Sequence, residues 1–467
     1  MSRRRTLALA AMAPAIAAMM VGPAPSAGAD PESGFPRPPP VDMRQLPRDT
    51  QPSALPGLRQ AVRCATPADA DPSDLSSLTW GVRSMKLTEL RRIGKGTKTR
   101  IAVIDSGVAK HPLLAARLSD GGDYVAGRSG LSDCEGHGTA VAGIAAAAVD
   151  AGSEFAGVAP QAEVISIRQT SASYRTTGTD GLEHPAGSVD TLAQAVVRAV
   201  QLGADVINIS ETACVPVDRA AVEGAAVQAA VHYAAQRNVV VVVAAGNRGG
   251  GQCPEQSGNQ IIVLPAWYDE DVLAVASVAP DGTASQFGVR APWVDVAAPG
   301  ERVVSLSPNG GGLTDKIISP SQDGPIQGSS FAAPAVAGLA ALIRARYPQL
   351  SARQVMDRIT ATADRARDAG RNDSVGWGTM NTVAALTRTP AVLDPPSQPS
   401  RTALAGSGVL QLAPPDPQRS TEPAVLWGAA LGLVAAAAAV ALAVPRTRGR
   451  LRPDDLPDRG PGPDRYR

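Results

Sequence analysis

Three short segments of this chain carry an acid, an imidazole and a hydroxyl among glycines and other small residues. They are 101–107 with Asp105, 136–139 with His137, and 328–334 with Ser330. A serine hydroxyl is a weak nucleophile near neutral pH, so it needs a base within hydrogen-bond reach and an acid that fixes the tautomer of that base. The order acid, imidazole, hydroxyl is one of the known linear arrangements of a hydrolytic triad. The three segments therefore predict hydrolysis by a serine nucleophile.

Asp105 considered alone favours a different chemistry. Apolar residues followed by Asp-Ser-Gly are also typical of aspartic proteases, which need two carboxylates that share one proton. No second Asp-Ser-Gly or Asp-Thr-Gly occurs in the sequence. That alternative therefore requires a homodimer in which each chain donates one Asp.

Ser330 and Asn247 each have a structural reading beside the functional one. A serine at the start of a predicted helix is often its N-cap, but the same position presents a nucleophile at the helix N-terminus. Asn247 follows the apolar run 239–246, where it could belong to a simple turn. Its amide could also donate to the oxyanion that forms when a carbonyl is attacked.

The ends of the chain predict export and anchoring. Residues 1–29 contain an Arg cluster, an apolar stretch and a small-residue cleavage site, which is the pattern of a signal peptide, although a first transmembrane helix is the alternative. The uncharged run 424–444 is long enough to cross a bilayer, with a buried helix as the alternative. The Arg-rich tail 445–467 follows it, so the positive-inside rule places the tail in the cytoplasm and the preceding chain outside. A Pro-rich linker, 389–423, precedes the run.

Composition narrows the function further. The chain has 467 residues and a formal net charge of +1, so no global attraction to nucleic acid is expected. Four cysteines in an exported chain predict two disulfides, in any of three connectivities. A metal site is the less favoured use of these cysteines, because no two of them have C-x-x-C spacing. They are Cys64, Cys134, Cys214 and Cys253.

Continuous apolar strands alternate with helices through the middle of the chain, which predicts an α/β fold with a mostly parallel sheet covered on both faces. Strands are expected at 100–104, 162–168, 205–210, 239–245, 271–278 and 293–296. Helices are expected at 138–149, 189–202, 220–237, 329–347 and 352–362. The polar stretch 169–190 and the segments 211–219 and 248–260 are expected to be loops.

Taken together, the motifs resemble those of the subtilisin-like (S8) serine proteases. Asp105-Ser106-Gly107, Gly136-His137-Gly138-Thr139, Ala244-Ala245-Gly246-Asn247 and Gly328-Ser329-Ser330 carry the resemblance, which covers about residues 78–388. It implies the three-layer subtilisin-like domain, Asp105, His137 and Ser330 as the triad, and Asn247 as the oxyanion donor. It also implies that Ser210 and Glu211 line the substrate cleft. Many members have Leu-Gly after that serine where this chain has Glu211-Thr212.

The arrangement of the flanks is similar to that of the mycosins, membrane-anchored proteases of type VII secretion systems. The resemblance implies an extended segment, 30–80, that packs on a catalytic domain, 81–388, and it favours the disulfides Cys64–Cys134 and Cys214–Cys253. It implies secreted polypeptide substrates, a type VII membrane complex as partner, and an extracytoplasmic catalytic domain with no metal or cofactor. A mainly structural subunit of the complex is the principal alternative, and a degradative housekeeping protease is another.

Overall fold

The computed structural model describes residues 34–49, 51–65, 76–151, 153–178, 181–249, 253–254, 260–308, 310–319, 322–365 and 370–389. The predicted signal peptide, the predicted transmembrane run, the Arg-rich tail and all but the first residue of the Pro-rich linker lie outside these residues. Among the residues that are described, no helix is long and apolar enough to cross a membrane.

Strands and helices alternate along the described chain. In chain order the strands are β1 (Arg59–Gln60), β2 (Arg100–Asp105), β3 (Leu118–Asp123), β4 (Glu163–Arg168), β5 (Ser171–Thr177), β6 (Glu183–Ala186), β7 (Val206–Ile209), β8 (Ala213–Pro216), β9 (Val240–Ala244), β10 (Ile261–Leu264), β11 (Leu273–Val278), β12 (Val296–Pro299), β13 (Ser305–Leu306), β14 (Leu313–Thr314), β15 (Lys316–Ser319) and β16 (Gln322–Pro325). The helices are α1 (Ser76–Ser84), α2 (Leu87–Ile93), α3 (His137–Ala146), α4 (Val189–Gln201), α5 (Val217–Glu223), α6 (Ala225–Gln236), α7 (Ser329–Arg346), α8 (Ala352–Thr362) and α9 (Thr382–Thr387).

A seven-stranded sheet forms the centre of the fold, in the order β12-β11-β9-β7-β2-β4-β3, and its neighbouring strands are parallel. The carboxyl ends of parallel strands share one edge, and ligand sites of open α/β sheets form there. Strand β2 lies between β7 and β4, so its last residue, Asp105, is near the middle of that edge.

The sheet is covered on both faces because its strands are apolar on both faces. Along β2, Ile101 and Val103 belong to the core on the side of α3 and α7. The alternate residues, Ala102 and Ile104, belong to the core on the side of α4 and α6. This three-layer arrangement is the predicted α/β fold.

Two helices begin where capping chemistry predicts. The Ser188 side chain accepts a hydrogen bond from Thr191 N, and the Thr191 side chain bonds back to Ser188 N, before α4. Ser351 and Gln354 form the same reciprocal box before α8. Such boxes satisfy backbone N–H groups that the first helical turn leaves unpaired. Both helices therefore start at the predicted residues.

Several element predictions were wrong. The stretch 169–190, expected to be a loop, contains the hairpin of β5 and β6, and β1 pairs with the free side of β5. The segment 211–219 contains β8, which pairs with β10. These strands are short, and β5 and β6 are polar. Strand β6 pairs with its neighbour β5, whereas β5 and β8 also pair with the distant strands β1 and β10, so backbone pairing and not a local apolar pattern defines these strands.

Two boundaries also differ from expectation. The helix expected at 220–237 is two helices, α5 and α6, which meet at Gly224. The strand expected at 293–296 begins only at Val296, where pairing with β11 starts. Val294 N donates to Ala291 O and closes a turn ahead of that strand.

The N-terminal segment lies against the sheet-and-helix domain. Trp267 Nε1 donates to Pro36 O at 2.9 Å, and the ring of Phe35 packs edge-on against Trp293 at 5.1 Å between centroids. Farther along, Leu55 N donates to Val125 O, and β1 pairs with β5. The segment is thus tied to the domain at several separate points.

Candidate active site

The predicted acid and base meet at the carboxyl edge of the sheet. Asp105 is the last residue of β2 and is fully buried. His137 is the first residue of α3, and its Nδ1 lies 2.7 Å from Asp105 Oδ1. Ser106 N donates to the same oxygen at 2.7 Å. A carboxylate that holds Nδ1–H leaves Nε2 free to accept a proton, which is the tautomer a general base requires.

The glycine after His137 allows this close approach. A Cβ at Gly138 would lie 2.0 Å from the carbonyl oxygen of Gly107 and 3.0 Å from Asp105 Oδ1. Any side chain there would push α3 away from the end of β2. The small residues around the predicted acid and base thus serve to bring two backbone segments together.

Asp133 fixes the start of α3 and was not among the predicted site residues. Asp133 Oδ1 accepts from Ser106 Oγ at 2.9 Å, and its Oδ2 accepts from Thr139 N and Thr139 Oγ1 at 2.9 and 2.6 Å. Ser106 Oγ in turn accepts from Gly138 N at 3.0 Å. Burial raises the pKa of the Asp133 carboxyl, opposed by these hydrogen bonds. An acid just before a helix start is the signal that could have identified it.

Ser330 is the second residue of α7, with 8% of its surface exposed. Its carbonyl oxygen accepts from Ser210 Oγ at 2.7 Å, and Asn208 Nδ2 donates to Ser210 Oγ at 2.9 Å. The next residue, Phe331, packs its ring 4.8 Å from the ring of His137. The end of β7 and the start of α3 therefore both contact the start of α7.

Within the described residues, His137 is hydrogen-bonded to Asp105 and not to Ser330. Hydrogen bonds between nucleophile and base are often long in enzymes without substrate, and they tighten when substrate binds. The contact between His137 and Phe331 keeps the candidate base beside the candidate nucleophile.

Asn247 is oriented as an amide donor. Its Oδ1 accepts from Ser329 N and Ser329 Oγ, both at 3.0 Å. These bonds fix the orientation of the amide, whose only donor is Nδ2. A Cβ built on Gly328 would lie 3.2 Å from Asn247 Nδ2 and 3.0 Å from Ser330 Oγ. The amide and the hydroxyl therefore border the same space, which any side chain at Gly328 would fill.

Glu211 follows Ser210 and lies beside His137. Its Oε1 is 3.7 Å from His137 Nδ1, and 31% of its side chain is exposed. Burial and the charge of Asp105 raise the pKa of the Glu211 carboxyl. Burial lowers the pKa of His137, but the charges of Asp105 and Glu211 outweigh it, so this pKa is raised. The sequence predicted Glu211 in the cleft, not next to the base.

Both disulfides favoured by the resemblance are present. Cys64 is bonded to Cys134, three residues before His137, and Ala65 N donates to Cys134 O at 2.7 Å. Cys214, in β8, is bonded to Cys253. The first bond attaches the N-terminal segment to the loop that precedes α3.

Comparisons with known proteins agree with this architecture. Residues 96–378 match the sequence profile of the Subtilase family, peptidase S8. Mycosin-4 of Mycobacterium tuberculosis is 47% identical over 362 residues, which cover 75% of this chain and 78% of that protein. Mycosin-1 of the same organism is 40% identical, covering 75% and 82% of the two chains.

Solved structures show the same relation. The MycP3 protease from the type VII (ESX-3) secretion system superposes with a TM-score of 0.68 at 37% identity, covering 75% of this chain and all of that one. A chain in the structure of an intact ESX-5 inner membrane complex superposes with a TM-score of 0.68 at 33% identity, covering 87% and 98%. The chain described here therefore belongs to the subtilase family of serine endopeptidases and, within that family, to the mycosins.

Proposed function

We propose that this mycosin is anchored in the cell membrane, holds its catalytic domain on the extracytoplasmic side, and cleaves secreted polypeptides at a type VII secretion complex. The observation that carries the catalytic part is the 2.7 Å pair of Asp105 and His137, set beside a buried Ser330. The pair supports the proposal, because a serine nucleophile needs a base whose tautomer is fixed by an acid.

The proposed reaction passes through an acyl-enzyme. Ser330 Oγ attacks the carbonyl carbon of the scissile peptide bond while His137 Nε2 accepts the hydroxyl proton. Asn247 Nδ2 and the backbone N–H of Ser330 donate to the oxyanion, since N–H groups of a first helical turn lack partners within the helix. His137 then passes its proton to the leaving amine, and water releases the acyl group by the same route. These groups supply each step, and neither a metal nor a cofactor takes part.

The proposed location rests on the chain outside the described residues. A signal peptide at 1–29 and a transmembrane helix at 424–444 followed by arginines place the intervening chain outside the cytoplasm. Residues 30–80 are then an N-terminal segment packed on the catalytic domain 81–388, and 389–423 are the spacer. Cysteines paired as disulfides support an oxidising compartment.

Labelling tests the proposed nucleophile. A fluorophosphonate probe is expected to label the full-length chain on Ser330 and to leave the Ser330→Ala variant unlabelled. Ser329→Ala is the matched control, because it removes the neighbouring hydroxyl and keeps Ser330. Labelling of Ser330→Ala, or none of the unaltered folded chain, would overturn the assignment.

A structural role is the second candidate, because a similar chain forms part of the ESX-5 inner membrane complex. Full-length Ser330→Ala separates the two roles in cells that depend on this protein for secretion. If substrate cleavage is lost while secretion persists, secretion requires the protein as a structural subunit of the complex. If both are lost, secretion requires proteolysis.

A further inference from the structure

The candidate base has two carboxylates at its Nδ1 side. Asp105 Oδ1 lies 2.7 Å and Glu211 Oε1 lies 3.7 Å from His137 Nδ1. One ligand atom from each of the three residues falls within 4.8 Å of the others. They come from the end of β2, the chain just after β7, and the start of α3. Because these elements are fixed by the central sheet, the three atoms are held together by the fold.

A second observation is that, within the part of the chain that the structure describes, one carboxylate oxygen of these three residues has no partner. Asp105 Oδ2 is buried and has no hydrogen-bond partner in the described residues. In the same part of the chain, the ion pairs of Asp105 and Glu211 are both made with His137, and neither includes an Arg or a Lys. One of the two carboxylates next to the imidazole thus has, among these residues, an oxygen without a partner. Such a donor set attracts a divalent cation.

The donor set selects the metal. An imidazole nitrogen with two carboxylate oxygens suits Zn²⁺, whereas Ca²⁺ and Mg²⁺ prefer oxygen ligands alone. Tetrahedral Zn²⁺ with bonds of about 2.1 Å places its ligand atoms roughly 3.4 Å apart. The distance of 2.7 Å from His137 Nδ1 to Asp105 Oδ1 must therefore increase, and the distance of 3.7 Å from His137 Nδ1 to Glu211 Oε1 must decrease slightly. The oxygens of Asp105 and Glu211, which lie within 4.8 Å of one another, must also reach about 3.4 Å. Rotation of the half-buried Glu211 side chain and a shift of the His137 ring are the movements that this requires.

We propose that Asp105, His137 and Glu211 form a Zn²⁺ site whose occupation switches off the protease. Zinc binds the lone pair of Nδ1, so a neutral His137 ring must carry its proton on Nε2. The proton of a neutral ring moves from Nδ1 to Nε2 through solvent, and an imidazolium releases one proton to solvent. A protonated Nε2 cannot accept the proton of Ser330. Zinc binding itself is independent of the proposed function, whereas the inhibition rests on it.

Calorimetry with the full-length Ser330→Ala variant tests binding without proteolysis. We expect one Zn²⁺ per chain, and affinity at least about tenfold weaker when Glu211→Gln is added, since loss of even an indirect metal partner costs about 10- to 100-fold. His232→Ala is the matched control, because it removes another His–carboxylate pair, 3.0 Å between His232 Nδ1 and Asp271 Oδ2. Ca²⁺ is expected not to bind. Absence of Zn²⁺ binding, or equal affinity with Glu211→Gln, would refute the site.

Inhibition is measured on the chain with Ser330 intact. Zn²⁺ is expected to stop peptide cleavage, and a chelator to restore it. The Glu211→Gln variant should need at least tenfold more Zn²⁺ for half-inhibition, each variant being compared with its own zinc-free rate. Thermal melts establish that every variant is folded. Bound Zn²⁺ with an unchanged rate would overturn the switch, whereas a chain inactive without Zn²⁺ would overturn the proposed function and leave the binding result standing.

Discussion

Hydrogen bonds from neighbouring residues fix the orientation of single side chains in this site. Asn247 is the clearest case, because both Ser329 N and Ser329 Oγ hold its Oδ1 and direct its Nδ2 toward the space next to Ser330. Preorganised donors of this kind stabilise charge that develops only in the transition state. Asn247 should therefore affect turnover far more than substrate binding.

Replacing Asn247 with Ala should lower kcat by roughly 100- to 1000-fold, the loss known for removal of such a donor in subtilisin, with little change in KM. Steady-state kinetics on a peptide substrate measure this split. Ser329→Ala is the informative comparison, because it removes only one of the two bonds that orient the amide, and it should cost less. A rise in KM with unchanged kcat for Asn247→Ala would mean that the amide binds substrate instead.

The candidate site residues could be proposed from sequence because each lies in a short segment with its own composition. Asp105, His137, Ser330 and Asn247 are all of this kind. The position of Glu211 against His137 could not be predicted, because it depends on how β7 and α3 meet across the sheet edge. The role of Asp133 was missed for a similar reason, since its partner Ser106 belongs to a different segment of the chain.

Among the elements, the loop before α3 links the N-terminal segment to the site. Cys134 is bonded to Cys64 in this loop. The adjacent Glu135 accepts from Ser173 N at 2.9 Å, next to the point where β1 pairs with β5. The N-terminal segment, the β5–β6 hairpin and the start of α3 therefore support one another.

Replacing Cys64 and Cys134 together with Ser should lower the free energy of unfolding by about 2–5 kcal/mol, because the bond closes a long loop in the unfolded chain. Denaturant unfolding of the double variant measures this loss. The control variant, Cys214→Ser with Cys253→Ser, lacks the other disulfide, which lies at β8 and not in the loop before α3. We therefore expect kcat to fall more in the variant without Cys64 and Cys134 than in this control. Equal kcat values in the two variants would show that the loop before α3 does not affect catalysis.

Elements with continuous apolar runs were predictable, and those that depend on a distant partner were not. Strands such as β9 and helices such as α8 follow directly from local pattern and capping residues. The hairpin of β5 and β6 is polar, and its third strand, β1, comes from the N-terminal segment. Backbone pairing between such distant segments does not require alternating apolar residues in either segment, so the sequence does not indicate these strands.

At the scale of the whole molecule, the described residues include the seven-stranded central sheet and the candidate site, and they end at Thr389. The last helix, α9, is fixed within this part, since Arg388 N donates to Ala384 O and Thr382 Oγ1 donates to Met85 O. Catalysis and anchoring are therefore expected to be separable along the chain.

A chain that ends at Thr389 should fold, melt at nearly the same temperature and cleave peptides with unchanged kcat/KM, yet leave the membrane fraction. The reason is that α9 remains whole while the proposed anchor and its following arginines are lost. Fractionation of cells that express either form, with a carbonate wash of the membranes, measures the difference. Retention of the shortened chain in washed membranes would place the anchor in the N-terminal apolar stretch, as an uncleaved transmembrane helix. N-terminal sequencing of the retained chain would then begin before residue 30.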